Sequence, residues 1–116
     1  MKVKELINYV NSNDFYSLWD MENALCSDFL NKGLPQLVAE NLEKEEYRWY
    51  DVSVSVYKLE DGFVGVKGVS FKYPEILDDY IPKCSASEYQ EVKTFNDKRK
   101  YYEKKNSTIL CYSLEF

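Results

Sequence analysis

Apolar residues recur at helical spacing at the start of the chain and at strand spacing from its middle onward. Val3, Leu6, Ile7 and Val10 sit at i, i+3, i+4 and i+7, which marks one face of a short helix. Asn11-Ser12-Asn13-Asp14 breaks that pattern and offers N-caps for a second helix. There Phe15, Leu18, Trp19, Leu25, Cys26 and Phe29 form one stripe, with Glu22 on it, and Gly33 serves as a C-terminal stop. Pro35 suits the first turn of a third helix, with Leu34, Leu37, Val38 and Leu42 as its apolar face. Its acidic end, Glu40, Glu43, Glu45 and Glu46, opposes the helix dipole and is expected to fray into the first strand.

From Trp49 to Tyr73 the period becomes two. Tyr50, Val52, Val54 and Val56 alternate with Asp51, Ser53, Ser55 and Tyr57, and a second alternating run follows Asp61-Gly62, a dipeptide suited to a tight hairpin. A two-residue turn there pairs Val54 with Val69, Val52 with Phe71 and Tyr50 with Tyr73, leaving Tyr57, Leu59, Val64 and Val66 on the opposite face. A longer turn with a bulge at Gly68 brings that second group to the core side instead. Residues 75–87 read as a connection bounded by Pro74 and Pro82. Val92 and Thr94 favour a strand over residues 88–96, against a helical alternative in which Ser85 and Glu88 make a capping box. Residues 98–106 read as a polar turn. Thr108, Leu110, Tyr112, Leu114 and Phe116 then alternate with Ile109, Cys111, Ser113 and Glu115 in a last strand. The expectation is one α+β domain over residues 1–116. Two or three N-terminal helices pack on one face of an antiparallel meander of about four strands, with its central hairpin at Asp61-Gly62.

Composition narrows the chemistry. There is no histidine, which removes Ser-His-Asp and Cys-His nucleophile activation and histidine-ligated zinc. The three cysteines, Cys26, Cys84 and Cys111, are odd in number and lack Cys-x-x-Cys spacing, against a disulfide framework or zinc ribbon. They read as small core residues, with Cys111 the most reactive candidate. No apolar run approaches the length of a membrane span and the N-terminus lacks a signal-like region, so a reduced, cytoplasmic setting without membrane association is expected. The net charge of −5 argues against nucleic acid and anionic membrane as partners. The charge is uneven: residues 1–80 carry 8 basic and 15 acidic groups, residues 81–116 carry 7 and 5.

Four groups are candidates for chemistry. Lys98, Arg99, Lys100, Tyr101, Tyr102, Lys104 and Lys105 mix cations with rings as single-strand binders do, although lysines at a hairpin end also guard a sheet edge. Glu75, Asp78 and Asp79 are a loop cluster without the pattern of a calcium loop, and read as solvated. Trp49, Asp51, Ser53, Ser55 and Tyr57 would lie on the outer sheet face, as a recognition surface or, for Asp51 with Tyr57, an acid–base pair. Finally, eleven tyrosines exceed what one small core absorbs, and tyrosine is enriched at protein interfaces.

The string from Arg48-Trp49-Tyr50 through Val56-Tyr57-Lys58-Leu59-Glu60-Asp61-Gly62-Phe63-Val64-Gly65-Val66-Lys67-Gly68-Val69-Ser70 resembles a segment of short uncharacterised proteins from gut bacteria and their mobile elements, over residues 47–105. It holds no catalytic motif. The resemblance implies an accessory or element-encoded protein and no activity. Three functions follow, in order. The first is a non-enzymatic protein–protein interaction module, of inhibitor, immunity or accessory type, binding a partner or itself as a homodimer, with no cofactor and no metal. The second is a cone-shaped α+β domain that binds a small ligand or is weakly catalytic, with Gly65 and Gly68 permitting sheet curvature. The third is a single-strand nucleic-acid-associated protein using residues 98–105.

Overall fold

The computed structural model describes residues 1–72, 82–93 and 99–104. Helices α1 (Val3–Ser12) and α2 (Leu18–Asp28) precede strands β1 (Gln36–Glu46), β2 (Tyr50–Leu59), β3 (Gly62–Phe71), β4 (Ser85–Lys93) and β5 (Arg99–Glu103). The five strands form one antiparallel meander in the order β1-β2-β3-β4-β5, and the helices pack on it. This is the expected α+β class, with two helices and five strands among the described residues. None of these helices is long and apolar enough to cross a membrane.

Helix α1 buries Val3, Leu6 and Val10, as its spacing predicts. Asn11 does not cap α2. Its side-chain amide donates to the Ala86 carbonyl (3.0 Å) and its oxygen accepts from the Ala86 N–H (2.8 Å), tying α1 to β4. The N-cap of α2 is Ser17, whose Oγ accepts from the Asp20 N–H at 3.0 Å. Leu18, Met21 and Leu25 therefore take the inward stripe. Trp19 and Cys26, each one residue beyond an inward position, are turned about 100° away to solvent. The helix ends at Asp28, and Gly33 (φ +80°) sits instead in the turn leading to β1.

The expected third helix is a strand. β1 pairs with β2 through Ala39–Val56, Leu42–Val54 and Glu45–Val52, so three residues of β1 advance for two of β2. A register shift falls in each interval, and Asn41 and Glu43 adopt positive φ. Repeated bulges give this strand a three-residue period, which on sequence alone matches a helix face. Strand β4 covers the ambiguous segment as a strand as far as Lys93, and Arg99–Glu103 is a strand where a turn was expected. The last expected strand, residues 108–116, and most of the 75–87 connection lie outside the described residues, as do residues 94–98.

The central hairpin adopts neither expected register. Leu59 faces Gly62, so the turn falls on Glu60 and Asp61, and Val52 pairs with Val69 and Tyr50 with Phe71 without interruption. The Asp61 carboxylate accepts from the Val3 N–H at 2.8 Å, so the turn residue meets an orphan donor at the start of α1. A side chain on Gly62 (φ +156°) would begin 3.2 Å from Val3 Cγ2. The docked helix thus favours glycine as the strand residue closing the turn.

Both sheet faces carry a core. Under the helices lie Tyr57, Leu59, Val64, Val66, Cys84 and Ala86 with Leu6, Val10 and Met21. On the opposite face Val54, Val56 and Tyr89 pack with Leu42 of β1 and Tyr101 of β5. For edge strands to meet across the sheet it must curl, and the Tyr89 hydroxyl donates to Glu43 of β1 at 2.8 Å across that curve. The result is nearly a barrel, in which β1 and β5 are not paired with each other among the described residues.

Candidate functional site

The expected outer-face residues do not form a surface. Ser53, Ser55 and Tyr57 are buried beneath the helices. Valine–serine alternation predicts a sheet solvated on one side, but here the serine face receives the helices and the valine face receives the curled edges. Small residues on the helix side let the layers approach closely: a Cβ on Gly68 would come within 2.7 Å of Cys84 Sγ and 2.8 Å of Leu18. Trp49 packs against Tyr50, Val52 and Val69, with the Arg48 guanidinium 4.7 Å from its ring. Asp51 is partly exposed between Lys44 (3.7 Å) and Lys72 (3.4 Å).

Tyr57 donates to Glu22 Oε1 at 2.7 Å, so Glu22, on the expected helix stripe, meets a buried hydroxyl. Burial first, and the Glu22 carboxylate second, raise this phenol far above its ordinary range, so it holds its proton. Asp51 and Tyr57 thus occupy separate settings, and no acid–base pair is formed between them. Part of the tyrosine excess has a structural use: Tyr9, Tyr47, Tyr89 and Tyr101 also donate to carboxylates, those of Asp28, Glu45, Glu43 and Glu91.

In the basic segment, Lys98 and Lys105 lie outside the described residues. Because Arg99–Glu103 is a strand, Tyr101 and Tyr102 alternate: Tyr101 packs on Phe63 (centroids 5.5 Å apart) and Tyr102 is exposed. The two rings do not line up as a stacking platform. Arg99 pairs with Glu91 (3.9 Å) and Lys104 with Glu88 (3.4 Å), while Lys100 is exposed. Glu75, Asp78, Asp79 and Cys111 are outside the described residues, among which no group of side chains is arranged to hold a metal ion. Cys26 is exposed, whereas Cys84 is buried and its thiol is pushed up to about 11, chiefly by desolvation.

The geometry offers a different surface. Trp19 is 71% exposed on the first turn of α2, and Phe71 at the end of β3 is 37% exposed. Both line a shallow depression floored by Val69 and flanked by Asp20 and Lys72. A large aromatic left in water forgoes about 1.5–3 kcal/mol of burial energy, so its position is unexplained by folding alone. Sequence reasoning missed this site because Trp19 fits the helical stripe. The signal was the cap: Ser17 followed by Asp20 sets the phase of the helix and turns Trp19 outward.

No family model matches the sequence, and neither a curated protein nor a solved structure matches it.

Proposed function

We propose that this protein is a non-enzymatic protein–protein interaction module, an accessory or inhibitor-type protein of the cytoplasm, that seats Trp19 and Phe71 in a partner. The observation carrying this reading is the 71% exposure of Trp19 beside the partly exposed Phe71. Tryptophan is the residue type most enriched among binding hot spots, and it needs a surrounding rim that excludes water. Asp20 and Lys72 stand at that rim and supply charges of both signs for orienting a partner.

The test compares wild type with Trp19→Ala/Phe71→Ala as bait in lysate of the native host, with and without nuclease, after circular dichroism establishes that both are folded. One stoichiometric, nuclease-resistant protein bound by wild type and lost from the variant supports the reading. Equal capture by both, or capture that nuclease abolishes, refutes it. Sedimentation of the purified protein supplies the other arm: a dimer that the double substitution dissociates makes the partner a second copy.

A further inference from the structure

Lys67 is the one charged residue of β3. It pairs with Val54 of β2 and Ser85 of β4, and by alternation it shares a face with Phe63, Gly65, Val69 and Phe71. Its charge therefore interrupts the otherwise apolar face on which Val54 and Val56 pack. Beside it, at one end of the near-barrel, is a cavity of about 460 Å³ walled by Tyr47, Tyr50, Val52, Lys67, Pro82 and Ser85. Small-molecule sites occupy roughly 300–1,000 Å³ and recur at the mouths of barrels. The aromatic wall is fixed before any ligand arrives. The Tyr47 ring stacks on Tyr50, with centroids 5.0 Å apart and planes 24° from parallel. The Tyr47 N–H donates to the Tyr50 carbonyl at 2.9 Å, and the Tyr47 hydroxyl donates to Glu45 at 2.8 Å. Tyr50 is buried, whereas Tyr47 is 44% exposed and keeps ring surface for contact. A ring already held in place costs little further ordering when a ligand stacks on it.

We propose that this cavity binds a small aromatic anion, a single ring bearing a carboxylate or a phosphate, with the ring against Tyr47 and Val52 and the anionic group at Lys67 Nζ and Ser85 Oγ. The charges on the walls select this class. Lys83 also lines the cavity, but its ammonium is held by Asp14 at 2.8 Å, so Lys67 supplies the cation. Glu45 lines it too, with its carboxylate accepting from the Tyr47 hydroxyl. Glu45 pairs with Val52, and Lys67 with Val54, so the acid and the lysine stand on strands two spacings, about 10 Å, apart. A ring laid across that gap from Tyr47 carries its charge to Lys67 and away from Glu45. A cationic ligand would meet the like charge of Lys67, and an uncharged apolar one would cover that charge without pairing it, a cost that an anion removes. The described residues lining this cavity are distinct from those of the Trp19 depression, so either proposal can fail alone.

The experiment is an NMR titration of the isotope-labelled full-length protein, followed by amide chemical shifts. The probes are phenyl phosphate and benzoate, with phenol and inorganic phosphate as the ring alone and the anion alone. The expected result is saturable shifts at Tyr47, Tyr50, Lys67 and Ser85, with one or both aromatic anions bound about 10-fold or more tighter than phenol or inorganic phosphate. The tighter of the two names the acid group as phosphate or carboxylate. Lys67→Met, which keeps an unbranched stem, should weaken binding by about 10-fold, the loss of one hydrogen bond between charged groups. Tyr47→Ala should weaken it several-fold through lost stacking, and Tyr47→Phe, which keeps the ring, by less. Inorganic phosphate bound as tightly as phenyl phosphate overturns the proposal, because charge alone then suffices. Phenol bound as tightly as either anion overturns it too, as does unchanged affinity in Lys67→Met or the lack of saturable shifts at these residues. Should Tyr47→Ala fail to fold, Lys67→Met, at an exposed position, decides.

Discussion

Gly65 is the position where the two-sided core leaves least room. A Cβ built there would lie 2.3 Å from Tyr89 Cε1, 2.5 Å from Cδ1 and 2.6 Å from Cζ. Carbon atoms rest about 3.5–4.0 Å apart, so Gly65→Ala requires the ring to move by roughly 1 Å or more. Tyr89 is only 5% exposed, packed with Val54 and Val56, and its hydroxyl is anchored to Glu43. Overpacking of this kind costs about 1–3 kcal/mol, and weakening a hydrogen bond to a charged group adds about 1.5–3. Replacing glycine restricts the unfolded chain and returns about 0.4–1 kcal/mol. The net destabilisation is thus about 2–5 kcal/mol, a large part of the total stability of a domain this size. Urea unfolding followed by tryptophan fluorescence measures it. A double-mutant cycle isolates the cause: in a Tyr89→Ala background, Gly65→Ala should be neutral or stabilising. A change below about 0.5 kcal/mol in the wild-type background, or an equal loss in both, would refute the close packing of Tyr89 over Gly65.

Three further outcomes are expected. Asn11→Ala removes both bonds to Ala86 and should destabilise by about 2–4 kcal/mol in urea, with Asn11→Asp between it and wild type because it keeps the acceptor. Tyr57 and Tyr89 are raised in the folded state by burial and then by Glu22 and Glu43, so their contribution is whole below the unfolded phenol value of about 10 and declines as pH rises from there towards the folded values. Thermal midpoints should fall between about pH 9 and about pH 11.5, less steeply in Tyr57→Phe; equal slopes would exclude Tyr57 as a cause. With Cys84 at about 11 and buried, iodoacetamide at about pH 8 should modify Cys26 in the native protein and Cys84 only after unfolding, as peptide mass mapping will show; prompt native modification of Cys84 would contradict its burial.

Helix α1 and the alternating runs of β2 and β3 were legible because each depends on a local period: Val3, Leu6 and Val10 along one helix face, and Val52, Val54 and Val56 along one strand face. The class follows from their order along the chain. What stacks on each face is not a local property. Serine at positions 53 and 55 reads as solvated until helices are seen above it, and the same small side chain that tolerates water also admits a close helix. β1 was misread for a related reason. Its bulges occur once in three residues because it must bend around a curled sheet, and that bend is set by partners far along the chain. The hairpin turn is tied to the rest of the fold by the Val3 N–H donating to Asp61, a contact across 58 positions of sequence that no local pattern reveals. Trp19 became visible as a surface only when the phase of α2 was set by Ser17 and by the inward packing of Leu18, Met21 and Leu25. Periodicity tells which residues share a face; only the packing of distant segments decides whether that face meets water, a helix or the sheet's own edge.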